Sequence, residues 1–141
     1  MRRTTPRLLL SLLIPVVLAV GCGSDSDGSA DPSNRPSVPD TEFVDETGES
    51  SITIDTKDNS FTPQYVTVSP GTKIVFENRG RTAHNVIPSV EDQFEAIPVA
   101  DLQPGDSATL KLDETGDYPY YCSLHGTKTK GMIGAIKVAA S

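Results

Sequence analysis

A chain of 141 residues with a net charge of −7 and 36% hydrophobic residues has material for one small core once its polar stretches are set aside. The acidic balance, with no basic stretch interleaved with aromatics, excludes nucleic acid as a partner. Two histidines are too few for an enzyme that carries several metal ions on imidazole ligands.

The chain opens with Arg2, Arg3 and Arg7 around an apolar run over residues 8–20. Small residues, Ala19-Val20-Gly21, then precede Cys22. This is the layout of a secretory signal peptide over residues 1–21. The run is shorter than the roughly 20 residues that a spanning helix needs. Ala19-Val20-Gly21-Cys22 also resembles a bacterial lipobox, which implies an acylated Cys22 at the mature N-terminus. The alternative is an ordinary signal peptide with an incidental cysteine. Either way the protein is exported, to the periplasm or the outer side of the cell membrane, where thiols are not kept reduced. A lipidated Cys22 is not available for a disulfide. Cys122 is then a lone thiol that needs an occupation, such as a metal.

Residues 22–50 read as a disordered linker. Ser, Asp, Pro and Gly dominate, eight acidic residues face Arg35 alone, and Phe43 is the one large aromatic. Such a stretch buries too little apolar surface to offset its ordering entropy, and self-repulsion extends it. It would space a globular head from the membrane.

Residues 51–141 form the expected domain, and their pattern is all-β. Ile52-Thr53-Ile54, Tyr65-Val66-Thr67-Val68, residues 73–78, residues 108–112, residues 118–122 and residues 132–138 alternate or run as short strands. Residues 83–87 are a further extended segment. Ser69-Pro70-Gly71-Thr72 and Gln103-Pro104-Gly105-Asp106 are turns. Residues 91–96 have room for one helical turn. Seven or so short strands with frequent turns predict a two-sheet sandwich. Alternation places Tyr118, Tyr120 and Cys122 on the core side and Tyr121 outward.

The chemistry concentrates in Tyr121-Cys122-Ser123-Leu124-His125, followed by Gly131-Met132, with Ala83-His84-Asn85-Val86 upstream. Two imidazoles, one thiolate and a weak thioether are the donors of a single-copper electron-transfer site. Rigid equatorial nitrogen and sulfur donors with a distant Met suit both oxidation states. Taken singly, each histidine also fits a surface or capping role, and Met132 fits core packing. A zinc ion would accept the same two histidines and cysteine.

These segments resemble the cupredoxin family, the blue copper proteins of plastocyanin and pseudoazurin type. The likeness rests on residues 61–72, on Ala83-His84-Asn85-Val86, on residues 116–125 and on residues 131–138, so it covers nearly all of 51–141. It implies a Greek-key β-sandwich binding one copper ion. It implies His84, Cys122 and His125 as equatorial ligands and Met132 as the axial one. It further implies that Asn85 hydrogen-bonds across the site, that Ser123 shapes the backbone beside the thiolate, and that Tyr121 is a point where electrons enter. Six residues separate His125 from Met132, where four are common in the family, so a tyrosine phenol, a backbone carbonyl or no axial ligand remain as alternatives.

The resulting expectation is a monomeric, membrane-tethered one-electron carrier between redox proteins, and not an enzyme. The alternative is an envelope copper carrier or scavenger with no redox partner. Leu124, Lys128 and Lys130 beside His125 would form the docking surface toward an acidic partner.

Overall fold

The computed structural model describes residues 40–140; the expected signal peptide, Cys22 and the expected linker up to residue 39 lie outside the described residues. Nine strands run in chain order: β1 Val44–Glu46, β2 Ser51–Lys57, β3 Ser60–Thr62, β4 Tyr65–Val68, β5 Lys73–Asn78, β6 Ile87–Pro88, β7 Ser107–Lys111, β8 Gly116–Thr127 and β9 Lys130–Val138. They form two sheets, β1-β4-β9-β8-β6 and β3-β2-β5-β7. The expected all-β sandwich is therefore present.

Alternation decides which side chains fill the space between the sheets. Ile52, Ile54 and Thr56 of β2 point inward beside Ile74, Phe76 and Asn78 of β5. Val66 and Val68 of β4 face them, together with Tyr118, Tyr120 and Cys122 of β8 and Met132, Ile136 and Val138 of β9. At the centre Tyr120 meets Phe61 and Phe76 edge-on, at 4.8 Å and 5.4 Å between ring centroids, the arrangement that aromatic quadrupoles favour. Gly134 pairs with Tyr120, and a Cβ there would sit 2.5 Å from the phenol carbon and oxygen. The missing side chain is what lets the ring lie across β9.

Two expectations need correction. Residues 22–50 are not all linker, because β1 lies within them and pairs in parallel with β4, extending the first sheet. Phe43 packs on Tyr65 at 5.6 Å, and the Lys137 ammonium sits 4.9 Å from the Phe43 ring centre while pairing with Asp40. Thr72 donates to the Glu49 carbonyl at 2.9 Å, and the Lys73 amide donates to the Ser50 carbonyl at 3.0 Å. An acidic stretch is thus held by backbone pairing and one aromatic anchor. The second correction concerns residues 83–97. Only Ile87–Pro88 forms a strand, Val86 makes an isolated bridge to Ile97, and residues 91–96 form no helical turn. A one-turn 3-10 helix lies instead at Val99–Asp101, after Pro98.

Candidate metal centre

β8 and β9 form a hairpin that carries three of the four expected donors. Tyr121 pairs with Ile133, and the next pair is Gly126 with Gly131. Between these pairs β8 has residues 122–125, whereas β9 has Met132 alone. Four residues opposite one make a wide bulge. Such a bulge re-aims side chains locally. Cys122 turns fully inward, Leu124 is pushed out to 52% exposure, and His125 is half-buried. Met132, 1% exposed, lies across from the bulge.

The six-residue spacing from His125 to Met132 is absorbed by this hairpin. Thr127 pairs with Lys130, leaving Lys128 and Thr129 at the tip. The expected strand pattern ended at Cys122, but His125 stands on a continued arm of β8 that faces β9. The arms approach closely because both partners of one pair are glycine. A Cβ on Gly126 would stand 2.7 Å from the Lys130 carbonyl oxygen and the Met132 nitrogen. A Cβ on Gly131, whose φ is +83°, would stand 2.6 Å from the His125 carbonyl oxygen. The mutual contact of these two glycines is visible only in the structure.

His84 comes from the segment after β5 and is fully buried. Its Nδ1 lies 3.8 Å from Cys122 Sγ, and His125 Nδ1 lies 3.5 Å from the same sulfur. The three donor atoms fall within 4.8 Å of one another. Metal bonds of about 2.3 Å to a thiolate and about 2.0 Å to an imidazole, opened to a trigonal angle, put sulfur and nitrogen about 3.7 Å apart. The two observed separations bracket that value, so the donors fit a metal ion lying between them. Burial, and then the neighbouring His125, hold the His84 imidazole below its ordinary pKa. The shift favours the neutral form that a metal ligand needs. Cys122 is a free thiol, without a disulfide among the described residues.

Asn85 bridges the two ligand segments as expected. Its Nδ2 donates to Ser123 Oγ at 2.9 Å, and its Oδ1 accepts from the Ser123 amide at 2.8 Å. The bridge fixes His84 relative to Cys122 through their immediate neighbours, an arrangement by which outer groups orient metal ligands.

Residues 48–139 match the model of the plastocyanin/azurin family of copper-binding proteins, well over half of the chain. The chain belongs to this family. Plastocyanin of Vicia faba is 39% identical over 88 residues, which cover 56% of this chain and 87% of that one. The chloroplastic plastocyanin of Pisum sativum is 37% identical over 89 residues, covering 56% of this chain and 51% of the relative. Among solved structures, oxidised plastocyanin from Dryopteris crassirhizoma superposes with a TM-score of 0.51 at 22% identity, over 62% of this chain and all of that one. A purple cupredoxin from Nitrosopumilus maritimus gives a TM-score of 0.52 at 22% identity, over 62% and 98%. Both confirm the cupredoxin sandwich. As a member of this electron-carrying family, the chain binds one copper ion.

The remaining expected residues are placed as follows. Tyr121 is half-buried on the outward face of β8, where it pairs with Ile87 of β6. Lys128 and Lys130 are exposed on the hairpin end. An open groove of about 1290 Å³ runs elsewhere, along β7 and residues 93–101, and none of the donor residues lines it. The metal centre is a closed site under the surface, with His125 and Leu124 leading outward. Among the described residues no helix is long and apolar enough to cross a membrane.

Proposed function

We propose that the mature chain is a membrane-tethered shuttle that carries one electron at a time between redox proteins. The observation that carries this reading is the buried convergence of Cys122 Sγ with the Nδ1 atoms of His84 and His125, facing Met132 across the bulge. Copper supplies the Cu(II)/Cu(I) couple. The chain supplies fixed donors, exclusion of water and one half-exposed imidazole toward the surface. A site already assembled by backbone pairing has little to rearrange on either oxidation state, and that rigidity favours fast transfer. Adding Cu(II) to the metal-free mature protein should give an intense visible charge-transfer band and a reversible one-electron potential. Tight copper binding without a reversible couple would make it a carrier or scavenger instead.

Met132 serves as the weak axial ligand in this reading. Met132→Leu should keep copper bound, because the three strong donors remain, and should move the reduction potential more than the copper affinity. An unchanged potential and spectrum would place the thioether off the metal.

In this reading the docking face takes in exposed Leu124, half-buried His125, and Lys128 and Lys130, which are exposed at the end of the hairpin. Neither lysine has an ion-pair partner among the described residues. A partner with an acidic surface near its redox centre complements that face, and steering of this kind weakens with salt. Replacing both lysines with Gln should slow second-order electron transfer at low ionic strength and matter little at high ionic strength. Equal rates at low salt would remove the lysines from docking. Tethering rests on the Ala19-Val20-Gly21-Cys22 pattern, where two acyl chains on Cys22 would give stable anchoring. Mass spectrometry of the mature N-terminus checks it: an unmodified Cys22 refutes the anchor.

A further inference from the structure

Asn78 is the last residue of β5 and shares its inward face with Ile74 and Phe76. It is 1% exposed, and every part of its side-chain amide is engaged. Nδ2 donates to the Thr82 carbonyl and to the Leu102 carbonyl, both at 2.9 Å. Oδ1 accepts from the Gly80 amide at 2.9 Å. Its main chain is fixed as well, donating to the Asp106 carbonyl at 2.8 Å and accepting from the Gly105 amide at 2.9 Å.

The Leu102 carbonyl takes a second donor. The backbone N–H of His84 binds it at 3.1 Å. One carbonyl oxygen thus joins the Asn78 side chain to the main chain of a metal-binding histidine, and its two lone pairs are both used. Asn78 also holds Thr82, two residues before His84. The segment from residue 79 to residue 86 contains no strand; its ladder contact is the isolated bridge of Val86 to Ile97, two residues after His84. Asn85 fixes it from the Cys122 side. Asn78 fixes it from the opposite side, through Thr82 and Leu102.

We propose that Asn78 is a positioning residue for His84, setting the depth at which its imidazole enters the copper site. The inference rests on the reading of His84, Cys122 and His125 as a one-copper electron centre. An amide suits the task because it donates twice and accepts once from a single rigid plane. Asn78→Asp keeps the acceptor toward Gly80 but loses both donors and turns an oxygen on two carbonyls. Asn78→Ser is shorter and uncharged. Thr72→Val is a matched control: Thr72 is 4% exposed just before β5, at the end away from Asn78, and loses one buried hydrogen bond, to Glu49.

The experiment compares these variants of the mature chain. Exchange of the His84 amide proton is followed by NMR in the metal-free protein. Electron self-exchange and the EPR spectrum are measured after copper loading. Asn78→Ser should speed His84 exchange at least tenfold and slow electron self-exchange roughly tenfold, with altered copper hyperfine splitting, the scale usual for groups that orient metal ligands. Thr72→Val should leave all three unchanged while lowering the melting temperature. If Asn78→Asp does not fold, Asn78→Ser decides. Unchanged His84 exchange and EPR in Asn78→Ser, or equal changes in Thr72→Val, would overturn the proposal. A wild-type protein with no reversible couple would instead refute the electron-carrier reading, while the amide exchange would still judge Asn78.

Discussion

Cys122→Ser should abolish the thiolate-to-copper colour entirely while the sandwich persists. The sulfur is the shared neighbour of both imidazoles, at 3.8 Å and 3.5 Å, and it is fully buried. No second cysteine among the described residues can replace it. Serine has nearly the same volume, so packing in the core changes little. A hydroxyl there trades a weakly polar group for a strongly polar one, at a cost of about 1–2 kcal/mol in the metal-free protein if its hydrogen bonds are poor. Copper affinity should fall by orders of magnitude, because a soft thiolate gives way to a hard hydroxyl that stays protonated at neutral pH. The check is a titration of both proteins with Cu(II), read by absorption and by thermal unfolding. A blue serine variant would mean that the colour arises elsewhere.

Gly131→Ala should damage both the hairpin and the copper site. Two costs combine. The residue has φ of +83°, where an L side chain costs about 1–2 kcal/mol. Its Cβ would also press on the His125 carbonyl oxygen at 2.6 Å and on Gly126 Cα at 2.9 Å, and overpacking of this kind costs about 1–3 kcal/mol. A loss of about 2–5 kcal/mol should lower the melting temperature by roughly 10 °C or more. The strain falls on the backbone of His125, so the copper spectrum should change with the stability. Gly48→Ala separates the two costs. Gly48 has a similar φ of +90°, but nothing lies within 4 Å of the added carbon. It should pay for the dihedral alone and keep the native spectrum. Equal losses in the two variants, with the spectrum intact in both, would show that the close approach of the hairpin arms does not matter to the site.

The sandwich and two of the donors were legible because their signals are local. Strands β2, β4, β5 and β7 show plain alternation, and Cys122 and His125 stand three residues apart at the end of a strand pattern. Asn85 and Ser123 were legible through the family likeness, and their two hydrogen bonds bear it out. β1 was not legible, because three residues in an acidic stretch show no period and gain their order from pairing with β4. The hairpin arms beyond Cys122 were not legible either. Polar and glycine residues read as loop, and only the partner strand reveals that they pair. Asn78 lay within reach: it continues the inward parity of Ile74 and Phe76. A polar residue at such a position has to find buried partners, and that alone marks it.

The strands at the sheet margins carry a further consequence. Three of the four, β1, β3 and β6, have only two or three residues, and the fourth, β7, has five. Short margins offer few free amides and carbonyls for another chain to join. β1 adds Asp45 and Glu46, while Asp106 and Asp113 flank β7. Two copies that drift together by their β1 edges meet carboxylates of like sign before any ladder can form. The consequence is colloidal. Crowded on a surface, the molecules should slide past one another instead of stacking, which leaves each exposed Leu124 free for brief encounters.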